Sequence, residues 1–332
     1  MVRPFAWRDG ERLIRFGRGV AADAVQALGD PGYLLLTTTR AEGVLPAVRE
    51  AAAGVHHVGP GGVPELAAAA LAWARPADDR RIVALGGGRV IDVAKAVAAG
   101  LGEGARAMAI PTTLSGAEMT RVHRHAAGVD DATRRVRCAV VVCDPALAAS
   151  QPEPELAASA LNAMGHAFEG PCTVAAHPVA ALVAHDAARR LVRGFAGPAP
   201  DRDELALGAL LAGYTIDSTG YGLHHVMAQT LVRLGAAGHG QANAVLLPHT
   251  TGALAWRFEA QYAALVEALG EDPAAVAARL CARTGATRLR ELGVEASALD
   301  ACAGAAAARR ELDHTPPRAD RAELRALYDA AF

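Results

Sequence analysis

At about 150 residues per domain, a chain of 332 residues is expected to form two domains or one large one. Apolar residues make up 52% and charged residues 20%, which excludes a disordered or collagen-like chain. Thirty-three Lys+Arg against 35 Asp+Glu leave a net charge of −2, too balanced for general binding to nucleic-acid phosphates. The first 145 residues alternate short aliphatic runs with Ala-rich helical stretches. Arg12–Phe16, with the turn Gly17–Gly19 behind it, predicts an edge strand. YLLLTTT (33–39), RIVALGGG (81–88) and AVVVCDP (139–145) predict further strands, and ELAAAALAWA (65–74) and VIDVAKAVAAG (90–100) predict helices between them. This alternation argues for a parallel sheet with helices on its faces.

Beyond the acidic, Pro-rich QPEPE (151–155) nearly every segment has 3.6-residue apolar spacing, and no strand is expected after residue 150. The expected fold is an α/β, Rossmann-like dinucleotide-binding domain over 1–150, then an all-α metal or substrate domain over 151–332. Five cysteines (Cys138, Cys143, Cys172, Cys281, Cys302) form no C-x-x-C pair and read as buried thiols in a reducing compartment. The N-terminal stretch lacks an apolar core with a cleavage site, and no apolar run approaches the roughly 18 residues of a membrane span. A cytoplasmic chain is expected, with no nucleic-acid or membrane partner.

Four segments carry chemistry. LGGGRVIDVAK (85–95) places Gly86, Gly87 and Gly88 between a strand and a helix, where backbone and helix N-terminus can approach a pyrophosphate. An ordinary tight turn would read the same way, and the spacing is not G-x-G-x-x-G. AIPTTLSGAEMT (109–120) gathers Thr112, Thr113 and Ser115 at the carboxyl end of a strand, where α/β sheets bind ligands. In LNAMGHAFEG (161–170), Asn162 and His166 share a helix face. The stretch from Gly222 to His249 holds His224, His225, His239 and His249, four of the chain's 12 histidines. Asn162 and His166 on one helix, His225 on a second and His239 on the following loop could form a metal cage. They could equally form a metal-free pocket that handles protons.

In this order the segments resemble the iron-containing alcohol dehydrogenase superfamily, and most of all its maleylacetate reductase branch. GGG-x-x-x-D-x-AK (86–95) and IPTT-x-SG-x-E (110–118) look like its diphosphate and nicotinamide segments; N-x-x-x-HA-x-E (162–169), GLHH (222–225) and the tail at Pro316–Arg318 look like the reductase versions. The resemblance implies a dehydroquinate synthase-like fold and an NADH- or NADPH-dependent reductase, with maleylacetate as the branch's substrate and 3-oxoadipate as product. It also implies a small-molecule substrate lying between the domains, and a homodimeric assembly. Cofactor contacts carried over are Gly86, Gly87, Gly88, Arg89, Asp92, Thr112, Thr113 and Ser115, with Thr38 and Thr39 at the ribose; the catalytic set is Asn162, His166, His225 and His239. The superfamily's metal positions fall on Asn162, His166, His225 and His239. With Asn in place of the anionic ligand, Fe or Zn is expected to be absent, His166, His225 and His239 serving as ligands only if a metal is held.

Several departures bear on function. Arg89 replaces a small hydroxyl after the glycines, Gln229 stands where another histidine is expected, and the stretch 121–138 looks shortened. They motivate an alternative, a repurposed lyase, dehydratase or cyclase with altered cofactor use. Thr38-Thr39-Arg40 lacks the carboxylate that would hold a ribose diol, so NADPH is allowed beside NADH. Arg121 or Arg318 is the expected partner of a substrate carboxylate, and His225 or His166 the group expected to titrate near neutrality.

Overall fold

The computed structural model describes residues 4–149, 151–235 and 237–332. Ser150, at the expected domain junction, and Met1–Arg3 of the N-terminal stretch lie outside the described residues. The chain divides into two compact units, Met1–Ser150 and Gln151–Phe332.

The first unit is a seven-stranded sheet. Its strands are β1 (Phe5–Asp9), β2 (Arg12–Phe16), β3 (Leu34–Thr37), β4 (Gly54–His57), β5 (Arg81–Gly86), β6 (Arg106–Pro111) and β7 (Val140–Cys143), in the order β1-β2-β7-β6-β5-β3-β4. Only β1 and β2 pair antiparallel; every other neighbour is parallel. Short helices α1 (Ala24–Ala27) and α2 (Pro46–Glu50) and the longer α3 (Val63–Ala74) and α4 (Gly88–Leu101) connect them. The central strands are continuous apolar runs because both faces are covered: Ile82, Val83, Ala84 and Leu85 of β5 are all buried.

Arg12–Phe16 is not the expected edge strand. β1 pairs outside it, and the Arg12 side chain is buried, donating to the Cys138 and Glu118 carbonyls. β4 is an edge strand of half-exposed residues that the apolar pattern does not announce. The stretch 121–138 has no regular element; His123 holds it together, its ring accepting from the Val136 N–H and its carbonyl from Arg135.

The strand order sets where a ligand can enter. From β3 the chain goes outward to β4, and from β5 it goes the other way to β6, although β3 and β5 are neighbours. Adjacent strands whose connections diverge open a crevice at their carboxyl ends. Here that crevice lies between Thr38 and Gly86.

The second unit is helical, with no strand among its described residues. It comprises α5 (Glu153–Glu169), α6 (Pro178–Arg193), α7 (Arg202–Thr219), α8 (Leu223–Leu234), α9 (His239–Ala255), α10 (Glu259–Leu269), α11 (Pro273–Cys281), α12 (Ala298–Ala307) and α13 (Arg321–Ala331). From Ala160 to Glu169, α5 is buried on every side, packed by α6, α7, α8, α9 and α11. Small residues allow this: a Cβ on Gly165 would lie 2.6 Å from His224 Nε2, and one on Gly170 would lie 2.5 Å from Thr215 Cγ2. No helix among the described residues is long and apolar enough to cross a membrane, and all five cysteines are buried and free.

Candidate active site

The first unit carries the glycine turn and the threonine loop. The Gly86 carbonyl accepts from the Thr112 N–H at 3.0 Å, so the glycine turn and the threonine loop, read separately in the sequence, lie against each other. Their approach requires glycine. A Cβ on Gly87 would sit 3.0 Å from Thr113 Cγ2, and one on Gly88 would sit 2.9 Å from Ser115 Cβ. Gly87 caps α4 without a side-chain hydrogen bond, and the first turn of α4 holds no acidic residue. Its N–H groups and positive dipole end are therefore uncompensated, which suits an anionic diphosphate.

The loop beyond Ser115 is clamped from beneath. Lys95, fully buried on α4, donates to the carbonyls of Ala117 (2.8 Å), Thr120 (3.0 Å) and Val122 (2.8 Å). Asp92, read as a cofactor contact, instead pairs with Lys95 at 2.9 Å. Glu118 is buried in the same layer, and loss of solvation pushes its carboxyl up to about 7. Thr37 Oγ1 donates to the Leu85 carbonyl at 2.9 Å, tying β3 to β5. Thr38 Oγ1 accepts from the Ala41 N–H of its own turn, while Thr39 and Arg40 are exposed. Arg89 does not fill the glycine turn. Its side chain is exposed and Nη1 donates to the Gly59 carbonyl at 3.2 Å.

In the second unit the structure brings His166, His224 and His225 together. The His166 and His225 rings stack with centroids 4.6 Å apart, and His224 meets His225 edge-on at 4.8 Å. Asn162 is buried one turn before His166 on α5. Glu169, which spacing alone did not single out, organises the group: Oε1 accepts from the His224 N–H and Oε2 meets His225 Nδ1, both at 2.7 Å. A carboxylate only accepts, so Nδ1 of His225 carries its proton and Nε2 presents a lone pair. His225 Nε2 and His166 Nδ1 are buried and meet no hydrogen-bond partner, as expected of groups reserved for a ligand.

His239 is not on a loop. It opens α9 and is exposed, with Asn243 Nδ2 donating to its carbonyl at 2.8 Å. His249 lies further along α9, partly exposed, and it is its neighbour Thr250 whose hydroxyl meets His224 Nδ1 at 2.8 Å.

Burial lowers His166 well below the ordinary imidazole value, with repulsion from its neighbours adding to the effect; His224 and His225 are pushed down to about 3. This corrects the expectation that His225 or His166 titrates near neutrality, because the packed core solvates no imidazolium. Among the described residues no three His, Cys, Asp or Glu side chains converge to hold a metal ion. The inherited positions offer an amide and three imidazoles, two of them, His166 and His225, stacked face to face. That donor set does not fit a hard divalent cation.

Gln229 Oε1 accepts from Arg309 Nη1 at 2.9 Å. Arg309 also donates to the Tyr221 hydroxyl at 3.1 Å and pairs with Glu311. The Tyr221 ring lies 5.9 Å from that of His225, so Gln229 holds a cation beside the histidines. Arg318, expected to meet a substrate, is committed to Asp313 and to the carbonyls of Ala307 and Arg309. Arg121 is exposed on the first unit.

Comparisons with known proteins agree with this architecture. The iron-containing alcohol dehydrogenase model matches residues 12–152, and the C-terminal model of the Fe-containing alcohol dehydrogenase family matches 156–332. Maleylacetate reductase 1 of Rhodococcus opacus is 31% identical over 81% of this chain and 77% of its own. Maleylacetate reductase of Rhizobium sp. (strain MTP-10005) is 29% identical over 100% and 98%. The crystal structure of maleylacetate reductase from Agrobacterium tumefaciens superposes with a TM-score of 0.84 at 29% identity, covering 100% of this chain and 99% of that one. The chain belongs to the iron-containing alcohol dehydrogenase family, on its maleylacetate reductase branch. It is an NAD(P)-dependent oxidoreductase.

Proposed function

We propose that the protein reduces a small, carboxylated carbonyl or enoyl compound of the maleylacetate type and does so without a resident metal. One observation carries this reading: a carboxylate-held imidazole, His225, whose buried Nε2 has no protein partner. The nicotinamide dinucleotide supplies the hydride when bound. Gly86–Gly88 and the α4 N-terminus would hold its diphosphate, with Thr112, Thr113 and Ser115 shaping the neighbouring wall. In the second unit Glu169 fixes the tautomer of His225, so that Nε2 takes up and passes on the proton that accompanies hydride transfer. His166 stacks against that ring, and Asn162 provides an uncharged hydrogen-bonding face.

An anionic substrate suits this pocket. Carboxylates beside the imidazoles stabilise their protonated forms and raise their basicity toward neutrality. Arg309, held by Gln229, Tyr221 and Glu311, fixes the Tyr221 ring beside His225. The departures that motivated a lyase, dehydratase or cyclase do not favour one, since Arg89 leaves the glycine turn open and Gln229 anchors Arg309. The test is oxidation of NADH or NADPH by purified, chelator-dialysed protein with maleylacetate and a panel of short 2-oxo and enoyl acids. Turnover that survives dialysis supports the reading. Turnover restored only by added iron or zinc, or none with any of these acids, overturns it.

A further inference from the structure

We infer that Arg89 makes this enzyme selective for the phosphorylated dinucleotide NADP(H), an inference that rests on the dinucleotide reading above. β3 lies between β5 and β4, and Thr37 is in register with both Leu85 and His57. The chain leaves β5 through Gly86–Gly88 and leaves β4 toward Gly59. The Arg89 side chain, from the second residue of α4, reaches the Gly59 carbonyl and so joins the segments that follow β5 and β4, the two strands flanking β3. In the strand order, the end of β3, where Thr38, Thr39 and Arg40 follow, lies between the two segments this bond joins.

That point is where a dinucleotide's adenosine ribose is read when its diphosphate lies on the adjoining turn. A carboxylate there accepts from the 2′-hydroxyl of NAD(H) and repels the 2′-phosphate of NADP(H). This chain offers two hydroxyls and an exposed arginine instead. The nearest acid along the chain, Glu42, is compensated by Arg49 at 2.5 Å and His57 at 2.8 Å. Arg89 spends one donor on Gly59, and that bond fixes its planar fork at the crevice with further N–H groups able to meet a phosphate. Its exposed stem means that shortening it removes a charge without opening the core.

The experiment measures dissociation constants of NADPH and NADH for wild type and Arg89→Ser by nicotinamide fluorescence. Wild type is expected to hold NADPH at least about tenfold more tightly than NADH. Arg89→Ser should lose about that factor for NADPH while NADH stays within roughly threefold. Wild-type preference for NADH, an unchanged NADPH constant in the variant, or equal losses for both nucleotides would overturn the inference and leave the dinucleotide reading standing. If wild type binds neither nucleotide, the reading and the inference fall together.

Discussion

The two candidate clusters, one in each unit, are built on opposite principles. At the carboxyl edge of the sheet, the groups that would meet a ligand are backbone N–H donors, exposed because Gly86, Gly87 and Gly88 carry no side chain. The threonine loop presses close enough that a Cβ on Gly87 would lie 3.0 Å from Thr113. In the helical unit the chemistry is entirely side chain, with His166, His224, His225 and Glu169 packed in a core. The first region is damaged by adding atoms and the second by removing or recharging them.

The comparison breaks most readily at His225. Replacing it by Asn should lower turnover roughly 10²–10⁴-fold, the usual scale of general acid–base catalysis, while NAD(P)H affinity stays near wild type. Turnover and cofactor titration on one preparation check this, and near-normal turnover would make the cluster structural. Gly87→Val tests the opposite region. Overpacking costs roughly 1–3 kcal/mol, so dinucleotide affinity should fall about a hundredfold and the melting temperature should drop as well. Pairing it with Thr113→Ala should return part of the stability. A variant that binds cofactor normally would show that the turn holds no diphosphate.

Glu169→Gln sharpens the comparison because it alters charge and tautomer without changing size. Losing the carboxylate that fixes a catalytic imidazole's tautomer can cost up to about 10⁴-fold in turnover, and the turnover–pH profile should shift with it. A merely structural Glu169 would leave that profile in place. Acid stability is a separate readout of the same burial. An unfolded histidine takes up its proton near 6.5, whereas His123, His224 and His225 resist down to about 3. Between these values the unfolded chain binds more protons, so stability is full above pH 6.5 and falls as pH falls below it. Denaturant titrations at pH 7 and pH 5 measure it, and the helical unit, which also holds the depressed His166, should lose more.

What the sequence shows differs between the halves for physical reasons. Strands buried on both faces are legible as unbroken apolar runs, as at Arg81–Gly86 and Val140–Cys143. Gly54–His57 is not, because a half-exposed edge strand needs no such run. The pairing of Asn162 with His166 follows from helical spacing. The roles of Glu169 and Arg309 do not, because their partners His225 and Gln229 are distant in sequence and only packing brings them together. His239 looks like a loop residue because glycines flank it, yet Gly238 is the extended residue before α9 and the helix begins at once.

Lys95 has a consequence outside catalysis. It is the chain's only lysine, and its ammonium is buried beneath the 117–122 segment. The remaining side-chain cations are guanidinium and imidazole groups, which amine-acylating reagents leave alone. Such a reagent finds its one side-chain target only when the segment lifts away, so the rate of acylation at Lys95 clocks local opening beside the cofactor loop. A bound dinucleotide that holds the loop closed would slow that clock, giving a readout of occupancy that needs no turnover and no introduced label.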